Sequence, residues 1–286
     1  MSAVRRLRFG FSPCPNDTFA FWAATHGVLR SSIELEPVLA DIEALNERAL
    51  AADEALPVTK LSLPALARAL DRYAVLPSGA ALGFGCGPLV VAATASRYHQ
   101  LSDLAAARIA IPGHHTTAFL LLRVLLPNIR FDAVPMRFDQ VPLAVARRQC
   151  DAGVIIHESR FTYRAHGLRE VADLGALWER ATGGPLPLGV IAARRDLPAV
   201  TVRDLGDLLR ASVELAQAEP ERPRAFVRAH SQELADDVCD RHIALYVNDF
   251  SKDLGATGRA AIDELLARGR AVGLLPPGPP TFWEQA

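Results

Sequence analysis

One histidine of this sequence follows an apolar run, at a point where ligands often bind. His157 comes directly after the run in "DAGVIIHESRFTY", which is typical of a buried strand, and open α/β sheets bind ligands at the ends of their strands. An imidazole titrates near neutrality and can act as a general base. The alternative is a structural histidine, with Glu158 and Arg160 forming no more than a surface ion pair.

Two threonines start a predicted helix. Thr116 and Thr117 open the apolar helical pattern in "IAIPGHHTTAFLLLRVLL", after a strand and a turn. Hydroxyl and N–H groups at such a helix start, together with the helix dipole, favour a carboxylate. The alternative is that one threonine only caps the helix.

The stretch "GFSPCPNDTFAFWAATHG" repeats this arrangement near the N-terminus. Asn16 or Asp17 is predicted to cap the following helix, and the junction offers backbone N–H groups to an anion. A well-capped helix without a ligand is the alternative. Cys14 has no histidine beside it in the sequence, so we expect a packing thiol rather than a nucleophile.

Lys60 in "PVTKLS" is a charged residue among apolar neighbours. Its ammonium group either reaches a substrate anion or extends to solvent while the neighbouring backbone lines a cleft. The sequence leaves both interpretations open.

Composition narrows the class of partner and cofactor. The chain has 31 Lys and Arg against 32 Asp and Glu without a long basic block, which argues against nucleic acid. No apolar run has the length of a membrane span or a secretory signal, so we expect a cytoplasmic protein without membrane insertion. The four cysteines are far apart, which predicts free thiols and no metal site. Because P-loop and dinucleotide-binding motifs are missing, no cofactor is expected.

The elements that position these residues alternate between strand and helix, which predicts parallel strands with crossover helices. Strands are predicted over 7–11, 33–39, 73–76, 89–93, 108–111, 131–134, 153–156 and 188–193, and helices over 19–24, 42–51, 116–126 and 141–148. The last third is mostly helical. We predict two α/β lobes, 1–94 with 189–286 and 95–188, joined by crossings near 89–94 and 188–193.

Five motifs together resemble one family. "GFSPCPNDTF", "VTKLS", "SGAALGFGCGPLVV", "PGHHTTAFLL" and "AGVIIHESRFTY" occur in this order, and the set is similar to the 1,4-dihydroxy-6-naphthoate synthases of the futalosine route to menaquinone. The resemblance implies a two-lobed, periplasmic-binding-protein-like (type II) fold with a ligand cleft. It implies a lyase that converts cyclic dehypoxanthine futalosine, a small-molecule carboxylate, to 1,4-dihydroxy-6-naphthoate.

The resemblance also implies roles for individual residues. The base falls on His157, and substrate binding falls on Thr116 and Thr117 and on the stretch Lys60, Leu61 and Ser62. The corner with Asn16 and Asp17 would then form the first-lobe wall of the cleft. Two positions depart from the expected pattern: Cys86 in the glycine-rich loop, and His114 where an arginine is expected.

Three alternatives remain at this point. A same-fold binding protein would leave its ligand unchanged. A sister enzyme of the chorismate dehydratase type would share the architecture, although the "IIHESRFTY" setting of His157 favours the naphthoate synthase pattern. The effector domain of a regulator would need a DNA-binding helix-turn-helix for which the chain has no room.

Overall fold

Two β-sheets organise the chain in this computed structural model, which describes residues 4–51, 53–231 and 235–283. The strands are β1 (Arg5–Phe11), β2 (Ile33–Leu39), β3 (Val58–Ser62), β4 (Tyr73–Val75), β5 (Ala81–Gly83), β6 (Leu89–Ala93), β7 (Arg108–Ile111), β8 (Asp132–Pro135), β9 (Ala152–Ile155), β10 (Leu168–Asp173) and β11 (Leu186–Arg194). The helices are α1 (Pro15–Thr25), α2 (Ile42–Leu50), α3 (Leu63–Arg68), α4 (Thr117–Leu125), α5 (Val141–Ala146), α6 (Ser159–Thr162), α7 (Leu174–Thr182), α8 (Ala199–Ala218), α9 (Arg224–His230), α10 (Asp236–Tyr246), α11 (Asp249–Lys252) and α12 (Gly255–Ala271).

The first sheet has the order β2-β1-β3-β11-β4, and β5 also pairs with β11. Strand β1 is parallel to β2 and β3, whereas β11 runs antiparallel to its partners. Phe9 and Phe11 of β1 pack against Phe21 of α1, with the centroids of the three rings 5.0 to 5.4 Å apart. Helix α1 in turn packs against α8, α9 and α10, so the helical last third of the chain covers this sheet.

The second sheet has the order β10-β6-β9-β7-β8. Strand β7 is parallel to β8 and β9, which confirms the parallel pairing predicted from the strand-helix alternation. Strands β6 and β10 are antiparallel to their neighbours, an arrangement that was not predicted.

The chain changes sheet at different places from those predicted. Strand β6 pairs with β9 and β10 inside the second sheet, so the first crossing precedes it, over 84–88. Strand β11 pairs inside the first sheet, so the return crossing lies between α7 and β11. The division of the chain into lobes 1–94 with 189–286 and 95–188 stays a prediction.

A close backbone contact marks the first crossing. A Cβ atom on Gly87 would lie 2.3 Å from the Cα atom of Gly175, so only glycine allows this approach. The Arg160 guanidinium lies beside the same point, where it donates to the Gly87 carbonyl and pairs with Asp173 at 2.6 Å. Arg160 therefore forms a largely buried pair with Asp173 rather than the surface ion pair considered from the sequence.

No helix in the described ranges is both long and apolar enough to cross a bilayer.

Candidate functional site

A pocket of about 570 Å³, partly open to solvent, lies where elements of both sheets meet. Six of the predicted residues line it: Asn16 from α1, Lys60 and Ser62 from β3, Thr116 and Thr117 at the start of α4, and His157 after β9. Residues that are more than 90 positions apart in sequence thus share one surface. The helix starts of α1 and α4 both border this pocket, as the sequence predicted.

Two predicted residues lie outside the pocket lining. Leu61 is fully buried in the hydrophobic core opposite Val190, so its side chain packs rather than binds. Asp17 lies behind the pocket wall, where it is 2% exposed and holds Lys60.

Lys60 follows neither of the two interpretations that the sequence offered. Its ammonium is buried and donates to both carboxylate oxygens of Asp17, at 2.5 and 2.6 Å. Burial alone would lower the pKa of Lys60, but the charge and hydrogen bond of Asp17, with a contribution from Cys14, together outweigh it and raise the pKa. Lys60 is therefore a permanently protonated, buried cation of the pocket, and Asp17, which lies behind the pocket wall, balances its charge.

The start of α1 differs from the prediction as well. Cys14 occupies the N-cap position and the helix begins at Pro15, so neither Asn16 nor Asp17 caps it. Both residues belong to the first turn instead. Asp17 accepts hydrogen bonds from the Ser12 backbone N–H at 3.1 Å and from the Asn16 amide nitrogen at 2.7 Å. The physical reason is that Asp17 is committed to Lys60 and to the preceding loop.

His242, which the sequence analysis missed, joins this hydrogen-bonded chain. Its Nε2 lies 2.8 Å from the Oδ1 atom of Asn16. Because the Asn16 amide nitrogen already donates to Asp17, its oxygen must accept, and His242 must donate from Nε2. Burial, followed by the charges of His157 and Lys60, lowers the pKa of His242 well below its usual value. His242 is therefore a neutral imidazole of fixed tautomer.

His157 adopts a backbone conformation that is unusual for its type, with φ at 55° in the left-handed region. Its ring packs edge-on against Phe138 at 4.8 Å and lies 6.1 Å from the ring of His242. Burial and, after it, the charge of Lys60 lower its pKa to about 3. The ordinary value near 6.5, which the sequence alone suggested, does not apply here.

The hydroxyls of the two threonines are engaged within the protein. Thr116 donates to the Gly113 carbonyl at 2.9 Å and accepts from the Phe119 N–H at 3.3 Å, so it is the N-cap of α4. Thr117 donates to the Leu188 carbonyl at 2.6 Å and accepts from the N–H of Leu63 at 3.0 Å. An anion at this helix start would therefore meet backbone N–H groups rather than hydroxyl protons.

Cys86, His114 and His115 each contact another part of the protein. Burial raises the pKa of Cys86 to about 12, and its carbonyl accepts from the Tyr246 hydroxyl at 3.2 Å. His114 contacts the ring of Phe119, while the His115 N–H donates to Glu43 at 2.9 Å. All four cysteines are free thiols, as predicted.

One group among the described residues has the composition of a metal site. Cys14, His157 and His242 each offer one potential ligand atom, and these atoms lie within 4.8 Å of one another.

Comparison with known proteins decides the family. A family model described as menaquinone biosynthesis matches residues 7–271. A relative from Thermus thermophilus, named 1,4-dihydroxy-6-naphthoate synthase, is 50% identical over 96% of this chain and 98% of its own. The chain belongs to this synthase family. A second synthase, from Streptomyces coelicolor, is 44% identical over 94% of this chain and 95% of its own. The resemblance drawn from the five motifs is thereby confirmed, and the chain is an enzyme of menaquinone biosynthesis.

Solved structures confirm the fold predicted for this synthase. A protein from Archaeoglobus fulgidus has a TM-score of 0.87 and 36% identity, covering 94% of this chain and 98% of its own. The alkanesulfonate-binding protein of Xanthomonas axonopodis pv. citri has a TM-score of 0.70 at 18% identity, covering 97% and 96%. The synthase family member described here therefore has the periplasmic-binding-protein-like fold.

Proposed function

We propose that this chain is a lyase of the futalosine route that converts cyclic dehypoxanthine futalosine to 1,4-dihydroxy-6-naphthoate, with His157 as general base. The observation that carries the proposal is the position of His157. It lies in the pocket that Lys60, Ser62, Thr116 and Thr117 also line. Membership of the synthase family supports the same reaction.

The main task of the protein in this reaction is to place a base next to the proton that is removed. One proton leaves the cyclic skeleton for a ring nitrogen of His157, and the sugar-derived fragment departs as the fused ring becomes aromatic. A positioned base contributes about 10²- to 10⁴-fold to the rate of such a step. Because the product is aromatic, the overall change is downhill, and orientation of the substrate is the remaining task.

Lys60 supports this step electrostatically. Its charge helps to keep His157 neutral and therefore able to accept a proton. As the proton leaves, negative charge develops on the substrate inside the pocket. A fixed cation beside that charge stabilises the transition state more strongly than water would. Asp17 holds the ammonium in place before the reaction begins.

The substrate carboxylate is assigned to the start of α4. The first N–H groups of a helix have no partner within the helix, and the helix dipole favours an anion there. Thr117 and Ala118, the first two residues of the helix, both line the pocket. The threonine hydroxyls contribute indirectly, because they hold this helix start against the Gly113 and Leu188 carbonyls.

Incubation of the purified protein with cyclic dehypoxanthine futalosine, and separately with chorismate, tests the proposal by mass spectrometry of the products. We expect 1,4-dihydroxy-6-naphthoate from the first and no change in the second. Dehydration of chorismate would identify the sister enzyme instead. Recovery of both compounds unchanged, with one of them bound, would identify a binding protein.

A further inference from the structure

Cys14, His157 and His242 bring three metal-binding side chains together, and His157 is the member that lines the pocket. The residues come from the loop before α1, from the segment after β9 and from α10. One thiol and two imidazoles are a ligand set that zinc prefers in proteins. Their ligand atoms lie within 4.8 Å of one another.

His242 is oriented in the way that metal-binding histidines usually are. Such a histidine donates one ring N–H to a carboxylate or carbonyl group and presents its other nitrogen to the ion. Here Nε2 donates to Asn16, and Asn16 is fixed by Asp17. The Nδ1 atom of His242 is buried, and the described part of the protein provides no hydrogen-bond partner for it.

A buried acceptor without a partner is costly, and native structures usually fill such a position with water, a ligand or an ion. The side chain of His242 is completely buried. The residue belongs to the same cluster as Cys14 and His157. The unsatisfied nitrogen is therefore an observation independent of the cluster itself, and it indicates a ligand at this position.

We propose that Cys14, His157 and His242 form a binding site for Zn²⁺, with the fourth coordination position open to the pocket. Bonds of about 2.3 Å to sulfur and about 2.0 Å to nitrogen in a tetrahedral site require ligand atoms roughly 3.3 to 3.6 Å apart. The three atoms, now within 4.8 Å of one another, would have to approach by at most about 1.5 Å to reach that spacing. The Cys14 thiol loses its proton to solvent as the sulfur–zinc bond forms.

The ion would be an inhibitor rather than a cofactor. Zinc would occupy a nitrogen of His157, the residue assigned as the general base, and this consequence rests on the proposed function. Asp17 pairs with Lys60 at 2.5 Å, which reduces the repulsion that a cation at the cluster would meet from the ammonium group. Zinc binding would thus turn His157 from a proton acceptor into a metal ligand while the protein stays folded.

Titration of metal-free protein with zinc chloride, followed by calorimetry, tests the site directly. Cobalt(II) is the second probe, because coordination by a thiolate gives a charge-transfer absorption band. We expect one ion per chain and a thiolate–cobalt band in the wild-type protein. Cys14→Ser should lose the band, and His242→Gln should weaken binding at least about tenfold, since a lost second-shell partner alone costs about 10- to 100-fold.

Cys86→Ser is the matched control, because this thiol also lines the pocket but is outside the cluster. It should retain both the stoichiometry and the cobalt band. Glutamine at position 242 can still donate to Asn16, so the variant removes the ligand while it keeps the structural bond. Circular dichroism confirms that each variant is folded. If either Cys14→Ser or His242→Gln fails to fold, zinc binding by the other variant tests the proposal.

Wild-type protein that binds no zinc, or binding that survives unchanged in both Cys14→Ser and His242→Gln, overturns the proposal. Zinc binding at the cluster that leaves turnover unchanged overturns the inhibition and, with it, the assignment of His157 as base. Metal-free protein that binds zinc but never converts cyclic dehypoxanthine futalosine supports the site, while it contradicts the proposed function.

Discussion

At the scale of single residues, the surroundings of His157 rather than solution pH determine its protonation. Burial and the Lys60 charge lower its pKa to about 3. A base of that pKa is weak in water but remains unprotonated at every pH at which the cell operates. In the proposed mechanism the same cation also stabilises the negative charge that develops when the base acts, so one residue would serve both purposes.

The first prediction concerns pH and turnover. We expect kcat/KM for cyclic dehypoxanthine futalosine to show no acid limb from His157 between pH 5 and 8, because the imidazole stays neutral there. The double variant Lys60→Met with Asp17→Asn removes the cation and should move the acid limb to higher pH. Cys86→Ser, which changes the pocket lining without removing a charge, is the control. A wild-type limb near pH 6.5 would contradict this electrostatic assignment.

The second prediction concerns the Lys60–Asp17 pair and stability. Lys60→Met leaves the Asp17 carboxylate buried without its cation, which should lower the free energy of unfolding by about 3–5 kcal/mol. The double variant with Asp17→Asn should cost clearly less, because no buried charge remains. Urea denaturation measures both. Arg6→Met, which breaks the exposed Arg6–Glu34 pair, is the control and should change stability little. Equal losses in the single and double variants would argue against a coupled buried pair.

The sequence pointed to most polar residues of the site, because Thr116, Thr117 and His157 stand at helix starts or strand ends. It could not reveal His242, since the contact with Asn16 spans 226 positions and comes from a tail helix. One signal was present. His242 and Tyr246 are four residues apart on the buried face of α10, where a polar ring requires a partner.

At the scale of elements, Thr117 joins three of them. Its hydroxyl links the start of α4 to the Leu188 carbonyl of β11 and to the N–H of Leu63 in α3. The same residue lines the pocket. Placement of the helix start that is proposed to receive the substrate anion therefore depends in part on this hydroxyl group.

The third prediction follows from this bridge. Thr117→Val keeps the shape but leaves the Leu188 carbonyl and the Leu63 N–H without a partner, so stability should fall by about 1–3 kcal/mol and KM should rise. Thr117→Ser restores the hydroxyl and should restore both quantities. Thermal denaturation and steady-state kinetics measure them. If valine and serine behave alike, the bridge does not position the helix.

The sequence predicted several elements to the residue, among them β2, β6 and β7. The pairing of the strands was harder to predict, because the hydrophobic pattern of a strand does not show which other strand it pairs with. Strand β6 was expected to be a crossing, yet it lies between β9 and β10 in the second sheet. Strand β10 was missed, because its residues Arg169 and Glu170 interrupt the apolar pattern.

At the scale of the whole molecule, two neutral histidines, His157 half-buried and His242 fully buried, link stability to pH. The pKa of His157 and that of His242 are both lowered by folding. In the unfolded chain these two histidines therefore take up protons near pH 6.5, whereas in the folded protein they are protonated only at much lower pH. The free energy of unfolding is therefore not reduced by these histidines above pH 6.5, and it decreases as the pH falls below that value.

The fourth prediction is the size of that decrease. Each such histidine should lower the free energy of unfolding by up to about 1.4 kcal/mol per pH unit below pH 6.5. His242→Gln removes one titrating group, so its stability should depend less steeply on pH than that of the wild type. Denaturation curves between pH 5 and 7 provide the comparison. Identical slopes in the two proteins would show that His242 does not titrate on unfolding.

The measurement that tests the account most directly is turnover of cyclic dehypoxanthine futalosine by His157→Gln, with substrate affinity measured separately by calorimetry. Formation of 1,4-dihydroxy-6-naphthoate should fall by about 10²- to 10⁴-fold while the fold and most of the affinity remain, because only the base is lost. Near-normal turnover in the folded variant would contradict the account, and the base would then have to be sought at Glu158 or His115.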